Sequence, residues 1–147
     1  MAESQPSARR ASLQCVVVTP VQALLDEPAD FVALPMYDGE LGVLPGRAPL
    51  IGRLGYGELR VRQGARTQRF YVDGGFAQVR ANVVTVLTGK AVAATEISPD
   101  AAARALELAL KPATGDEVEV QLKQQARARA QLRVAKHAGT GESSHPG

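Results

Sequence analysis

The chain contains no tryptophan, one cysteine and two histidines in 147 residues, and aromatics make up only 4% of it. Its hydrophobic content is 45%, so the core it can build is aliphatic: Val, Leu, Ala and Ile. A lone Cys15 excludes an internal disulfide and fits a reducing cytosol. No histidine precedes His137, so nothing nearby in sequence activates that thiol, and Cys15 reads as a small buried strand residue. No apolar run approaches the roughly 20 residues that would cross a bilayer. Arg9 and Arg10 are not followed by the apolar stretch of a secretory signal. A net charge of +2 is too small to argue for a nucleic-acid partner.

What the chain does have is a dense cluster of turn residues between aliphatic anchors. Gly39-Glu40-Leu41-Gly42-Val43-Leu44-Pro45-Gly46-Arg47-Ala48-Pro49-Leu50 reads as a loop of fixed shape, because Gly and Pro restrict or permit particular φ values while the aliphatics tie the segment down. Pro45-Gly46 suits the centre of a type II turn. The Lys-Ser/Thr ending of a phosphate-binding loop is missing.

Around that cluster, short apolar segments alternate with turn signals. Strands are expected at Ser12–Thr19, Val21–Leu25, Ala29–Met36, Glu58–Arg62, Arg69–Val72, Phe76–Arg80 and Val83–Thr88. Gln63-Gly64, Asp73-Gly74-Gly75 and Ala81-Asn82 supply the turns between the later ones. Short strands with frequent turns predict an N-terminal antiparallel β-sandwich over residues 12–96. A disordered arm is expected at residues 1–11.

Beyond residue 96 the apolar period becomes helical. Ser98-Pro99-Asp100 is a helix start: a hydroxyl cap, proline at the first helical position and an acid at the positive end. Ala102, Ala105, Leu106, Ala109 and Leu110 fall on one face, and Pro112 stops the helix. Thr114 and Glu117 form a capping box for a second helix reaching about Lys136, with Gly139 beyond its end. The series Val118, Leu122, Ala126, Ala130, Val134 is its expected apolar face. The short link predicts an antiparallel two-helix hairpin over residues 97–137, with a disordered tail at 138–147. The second helix is acidic at its start and cationic later, through Lys123, Arg127, Arg129, Arg133 and Lys136. Dipole complementarity and a solvated face explain the order of charges. An Ala-rich stripe buries little area, which predicts a detachable helix that meets an acidic partner.

Several separated segments resemble one family in the right order. Gly39–Leu50 is similar to the Gly-Glu-Leu-Gly…Pro-Gly-His-Ala-Pro-Leu signature of the epsilon subunit of F-type ATP synthase. Phe70-Tyr71-Val72-Asp73-Gly74-Gly75-Phe76, Asn82–Leu87 and Ala130-Gln131-Leu132-Arg133-Val134 resemble further stretches of it. The resemblance implies a non-catalytic central-stalk subunit, peripheral on the cytoplasmic face of the cell membrane. Its sandwich would be held on the gamma subunit, and Gly39, Glu40, Leu41 and Gly42 would meet the ring of c subunits. Arg127, Arg129 and Arg133 would approach an acidic segment of the catalytic beta subunit when the hairpin extends and restrains ATP hydrolysis. Arg47 stands where the family often has His, a permanent cation in place of a titratable group.

Some members of that family bind ATP through an Asp and an Arg separated by two residues at the first helix. Here Asp100 and Arg104 are separated by three residues and preceded by Pro99, so helix-start electrostatics is the favoured reading for Asp100, and no cofactor is expected. Two other classes compete. An enzyme would need more than Asp38 and Glu40, which lack any accompanying His or metal-ligand cluster. A stand-alone module using the cationic helix for anionic polymers would bind nucleic acid with a steep salt dependence; the Ala-rich stripe and the lack of stacking aromatics oppose it.

Overall fold

A computed structural model of the chain describes residues 12–111, 115 and 117–141, with side chains to residue 138. The N-terminal arm, Pro112, Thr114 of the capping box, Asp116 and residues 142–147 lie outside the described residues. Eight strands come first: β1 (Leu13–Val18), β2 (Ala23–Ala29), β3 (Phe31–Met36), β4 (Gly39–Val43), β5 (Leu50–Gln63), β6 (Arg66–Arg80), β7 (Val83–Leu87) and β8 (Ala91–Ala93). A single 3₁₀ turn, Ala94–Glu96, leads to the helices α1 (Pro99–Ala109) and α2 (Glu117–Gly141).

The strands hydrogen-bond in the order β2-β1-β7-β6-β5-β3-β4, with β8 also pairing β6. Every pairing is antiparallel except β1 with β7, which run parallel. The antiparallel sandwich expected from the turn pattern therefore has one parallel junction, between strands too far apart in sequence for turn signals to report.

One continuous ribbon makes two layers because β5 and β6 bend together. Their register is unbroken except that Gly55 and Gly74, which face each other, are not paired. Gly74 and Gly75 take φ of 75° and 108°, values that favour glycine. A Cβ on Gly75 would run into the Leu87 carbonyl oxygen and stand 2.8 Å from Thr88 Cα. The sequence Asp73-Gly74-Gly75 thus bends one long strand; it does not end one strand and start another as expected. Likewise Gly39–Val43 is a strand, and the loop proper is residues 44–49. Pro45-Gly46 makes the expected turn, with Gly46 at φ 88° and the Arg47 N–H donating to the Leu44 carbonyl at 3.2 Å.

Between the layers lies the aliphatic core: Leu13, Cys15, Val17, Val79, Val84 and Val86 from one side, Val32, Leu34, Val43, Leu59, Val61 and Val72 from the other. Alternation explains it, since every second residue of a strand faces inward. Cys15 is fully buried there. Burial, reinforced by Glu27 and Asp26, pushes its thiol up to about 12.

The helix start at Ser98 forms as expected: its hydroxyl accepts from the Ala101 N–H at 3.1 Å, with Pro99 opening the helix. The α1 face differs in part, because Ala102 and Ala109 are buried but Ala105 and Leu110 are exposed. In α2 the expected apolar series is only half right. Ala130 and Val134 are buried, whereas Val118, Leu122 and Ala126 are exposed. The buried surface also includes Ala128 and Ala135, one helical stripe with Gln121 and Gln125. Gln121 donates to the Lys111 carbonyl and Gln125 to the Ala109 carbonyl, 2.9 Å away. These amides satisfy carbonyls that the end of α1 leaves open, so a polar stripe faces α1 where an apolar one was expected. Helix α2 also continues to Gly141, past the end expected at about Lys136.

Two outcomes follow. Gly75→Ala has no room for its methyl group and should destabilise the sandwich by about 2–4 kcal/mol, read as a lower urea midpoint; Gly64→Ala, which meets nothing within 4 Å, should cost about 1 kcal/mol from its positive φ alone. Cys15 should resist alkylation in the native chain at pH 8.5, where a free thiol is about half ionised, and react fully in denaturant. Because the folded thiol titrates higher than the unfolded one, its contribution to stability is intact below about pH 8.5 and declines above it.

Candidate functional site: a cationic helix docked on the sandwich

The bend in β5 and β6 creates a platform on the outer side of the second layer. Tyr71, from β6, is completely buried against Ala94, Ala130 and Val134, with Tyr56, Ile97 and Ala138 packed around them. Small residues on α2 let its backbone approach the sheet closely. Polar contacts fix both ends of this seam. Near one end the Arg127 guanidinium meets the Asp73 carboxylate at 3.0 Å and lies over the Tyr56 ring, 5.0 Å from its centre. The same Asp73 oxygen accepts from the Tyr71 hydroxyl at 2.9 Å. Near the other end His137 Nδ1 is 2.8 Å from Glu58, whose second carboxylate oxygen faces Arg69 at 3.3 Å.

The electrostatics agree with the geometry. Burial pushes the Tyr71 phenol up, and the Asp73 charge adds to the shift. For Arg127, partial burial opposes the charge, but Asp73 and Tyr56 outweigh it and raise its pKa. The seam is small in apolar area yet anchored by charge-assisted bonds, each stronger than a neutral one. None of Tyr71, Asp73, Glu58 or His137 stands out in the sequence as a site residue. Asp73 and Arg127 are 54 positions apart and Glu58 and His137 are 79 apart, so no local pattern links them.

The residues singled out from the sequence fall in three places. Gly39, Glu40, Leu41 and Gly42 lie on β4, at the edge of the second layer. Glu40 is 54% exposed and sits 3.4 Å from Arg60; Leu41 packs against the core; a Cβ on Gly42 would crowd the Phe31 ring at 3.0 Å. Arg129 and Arg133 are exposed on α2, while Arg127 is engaged with Asp73. Asp100 and Arg104 are both exposed on α1, with no ion pair joining them among the described residues. Nor do the described residues hold three His, Cys, Asp or Glu side chains grouped for a metal ion.

A separate feature lies on the outer side of the first layer. Cross-strand pairing puts Arg53, Phe76 and Leu87 in one row and Ile51 and Gln78 in the next. Ile51 is 72% exposed, Phe76 55% and Leu87 51%, so large apolar side chains stand together without cover.

Comparison with known proteins agrees with this architecture. Residues 12–94 match the family model described as the ATP synthase delta/epsilon chain β-sandwich domain. The ATP synthase epsilon chain of Rhodopirellula baltica is 52% identical over 127 residues, which is 85% of this chain and 99% of that one. That of Granulibacter bethesdensis is 38% identical over 82% of this chain and 95% of its own. Among solved structures, a chain of the Euglena gracilis mitochondrial ATP synthase, in a complex of OSCP, F1 and c-ring, superposes with a TM-score of 0.73 at 26% identity, covering 88% of this chain and 81% of that one. A chain of the Tetrahymena thermophila mitochondrial enzyme shares the fold at a TM-score of 0.63 and 15% identity, over 87% and 96%. With its sandwich matched end to end and its helices covered by close relatives, the chain belongs to the delta/epsilon family of ATP synthase subunits.

Proposed function

We propose that the chain couples rotation in the central stalk of an F-type ATP synthase, with the sandwich as a fixed mount and the hairpin as a regulatory arm. As a subunit of that family it is an accessory, non-catalytic part of the enzyme, and its homologues assemble in complexes that contain F1 and a c-ring. No described helix is long and apolar enough to cross a membrane, consistent with peripheral association; the reading puts it on the cytoplasmic face. No cofactor is required.

The observation that carries the reading is the uncovered apolar face around Ile51, Phe76 and Leu87. Contiguous exposed side chains of this size mark an interaction surface. It lies on three hydrogen-bonded strands of the sandwich, as a permanent mount requires, and we assign it to the gamma subunit. The exposed β4 edge, with Gly39, Glu40, Leu41 and Gly42, is assigned to the c-ring; partner binding there would redirect Glu40 from Arg60.

In the docked hairpin Arg127 is held by Asp73, while Arg129 and Arg133 are exposed and unpaired among the described residues. An acidic segment of the catalytic beta subunit would compete with Asp73 for Arg127 and recruit the other two. Release of α2 costs two anchored contacts and a small apolar seam, a scale that a partner interface can offset.

Two experiments test these assignments. Phe76→Asp with Leu87→Asp places charge in the apolar face while leaving the core untouched. It should weaken association with the gamma subunit by at least about 30-fold, the cost of a central interface residue; undiminished co-purification would move the mount elsewhere. Deleting residues from 114 onward should raise ATP hydrolysis by the assembled enzyme. An unchanged rate would leave the hairpin a structural appendage.

A further inference from the structure

Helix α2 touches the sandwich along its C-terminal half and stands away from it along its N-terminal half, leaving a cleft of about 900 Å³. One wall is α2, with Lys123, Arg127, Arg129 and Arg133; the other holds Tyr37, Arg53 and Tyr56. Gly55, Gly74 and Gly75 line the bend between them, beside Met36 and Leu54.

We propose that this cleft binds a small polyanion of about three negative charges, of the oligophosphate or tricarboxylate kind. Five cations line it against two carboxylates, Asp73 and Glu119. Asp73 is already occupied by Arg127 and the Tyr71 hydroxyl. Among the described residues, none pairs with Lys123, Arg129 or Arg133. Arg129 and Arg133 are four residues apart on one helix, as are Lys123 and Arg127, and like charges at that spacing repel. The docked hairpin thus gathers positive charge that nothing described neutralises.

The cationic wall is also preorganised. Arg53 lies over the Tyr37 ring at 4.4 Å and Arg127 over Tyr56 at 5.0 Å. The ring contacts hold both guanidinium groups at the cleft wall, and each keeps N–H groups that can donate to carboxylate or phosphate oxygens. The volume falls within the range of small-molecule sites. The site is separate from Asp100 and Arg104 on α1. It exists in the docked chain alone, so it is tested without the other subunits and stands or falls apart from the stalk assignments above.

The test is calorimetric titration of the full chain with sodium tripolyphosphate, and with citrate as competitor, at about 0.1 M salt. Three substitutions made together, K123Q, R129Q and R133Q, remove exposed charges without touching the buried seam. A control pair, R66Q and R80Q, lowers net charge elsewhere. The expected result is saturable one-to-one binding, displaced by citrate, at least about 10-fold weaker in the triple variant, a loss of roughly 1.4 kcal/mol, and unchanged in the control. Equal weakening in both variants would show general charge attraction only and overturn the site. So would the absence of saturable binding, or binding of an acidic peptide alone, which would make the cleft a protein-docking groove.

Discussion

Everything outside the core depends on the paired bend in β5 and β6. Gly55 and Gly74 face each other without pairing, and Gly75 passes so close to Leu87 that no side chain fits. Because the two long strands turn there, their halves serve different layers, and a single ribbon closes around an aliphatic core. The same bend displays Tyr56, Tyr71 and Asp73 outward as a platform for α2. Its glycines also line the cationic cleft. Fold, hairpin docking and the candidate anion site therefore share one local constraint.

Docking of α2 shows how a weak apolar seam can still hold a helix. Ala130 and Val134 bury little surface, which by itself implies a helix that comes away easily. The structure adds charge-assisted contacts at both ends and glutamine amides toward α1. Such contacts are directional, so they fix register, and because Asp73 and Glu58 are largely buried they also add to the stability of docking. A helix held this way has one well-defined docked position and a modest cost of release, which suits a regulatory arm.

Much of this was legible in the residues, and the misses have physical causes. The type II turn at Pro45-Gly46, the Ser98-Pro99 helix start and the alternation in β7 depend on local chemistry, and each appears as read. The first part of β5, Leu50–Gly57, carries no strand signal because its glycines break the alternation that marks one. Asp73-Gly74-Gly75 has the composition of a turn, yet long-range pairing on both sides carries the strand through it. The face of α2 departs from its apolar series because hydrophobicity favours Leu122 over Gln121 and Gln125, while the end of α1 offers open carbonyls that the amides satisfy. The anchors Asp73 and Glu58 join residues far apart in the chain and leave no periodic trace. The apolar patch of Ile51, Phe76 and Leu87 needed the register of three strands before it became a patch.

The central claim is that α2 is held on the bent sandwich by its C-terminal half and stands free of it along its N-terminal half. Amide hydrogen exchange of the isolated full chain measures this directly. The account predicts strong protection for residues 128–138, lost together when Asp73 and Glu58 are replaced by Asn and Gln, and markedly faster exchange for residues 117–126 in the unaltered chain. Equal protection along the whole helix, or protection of 128–138 that survives loss of both carboxylates, would contradict it.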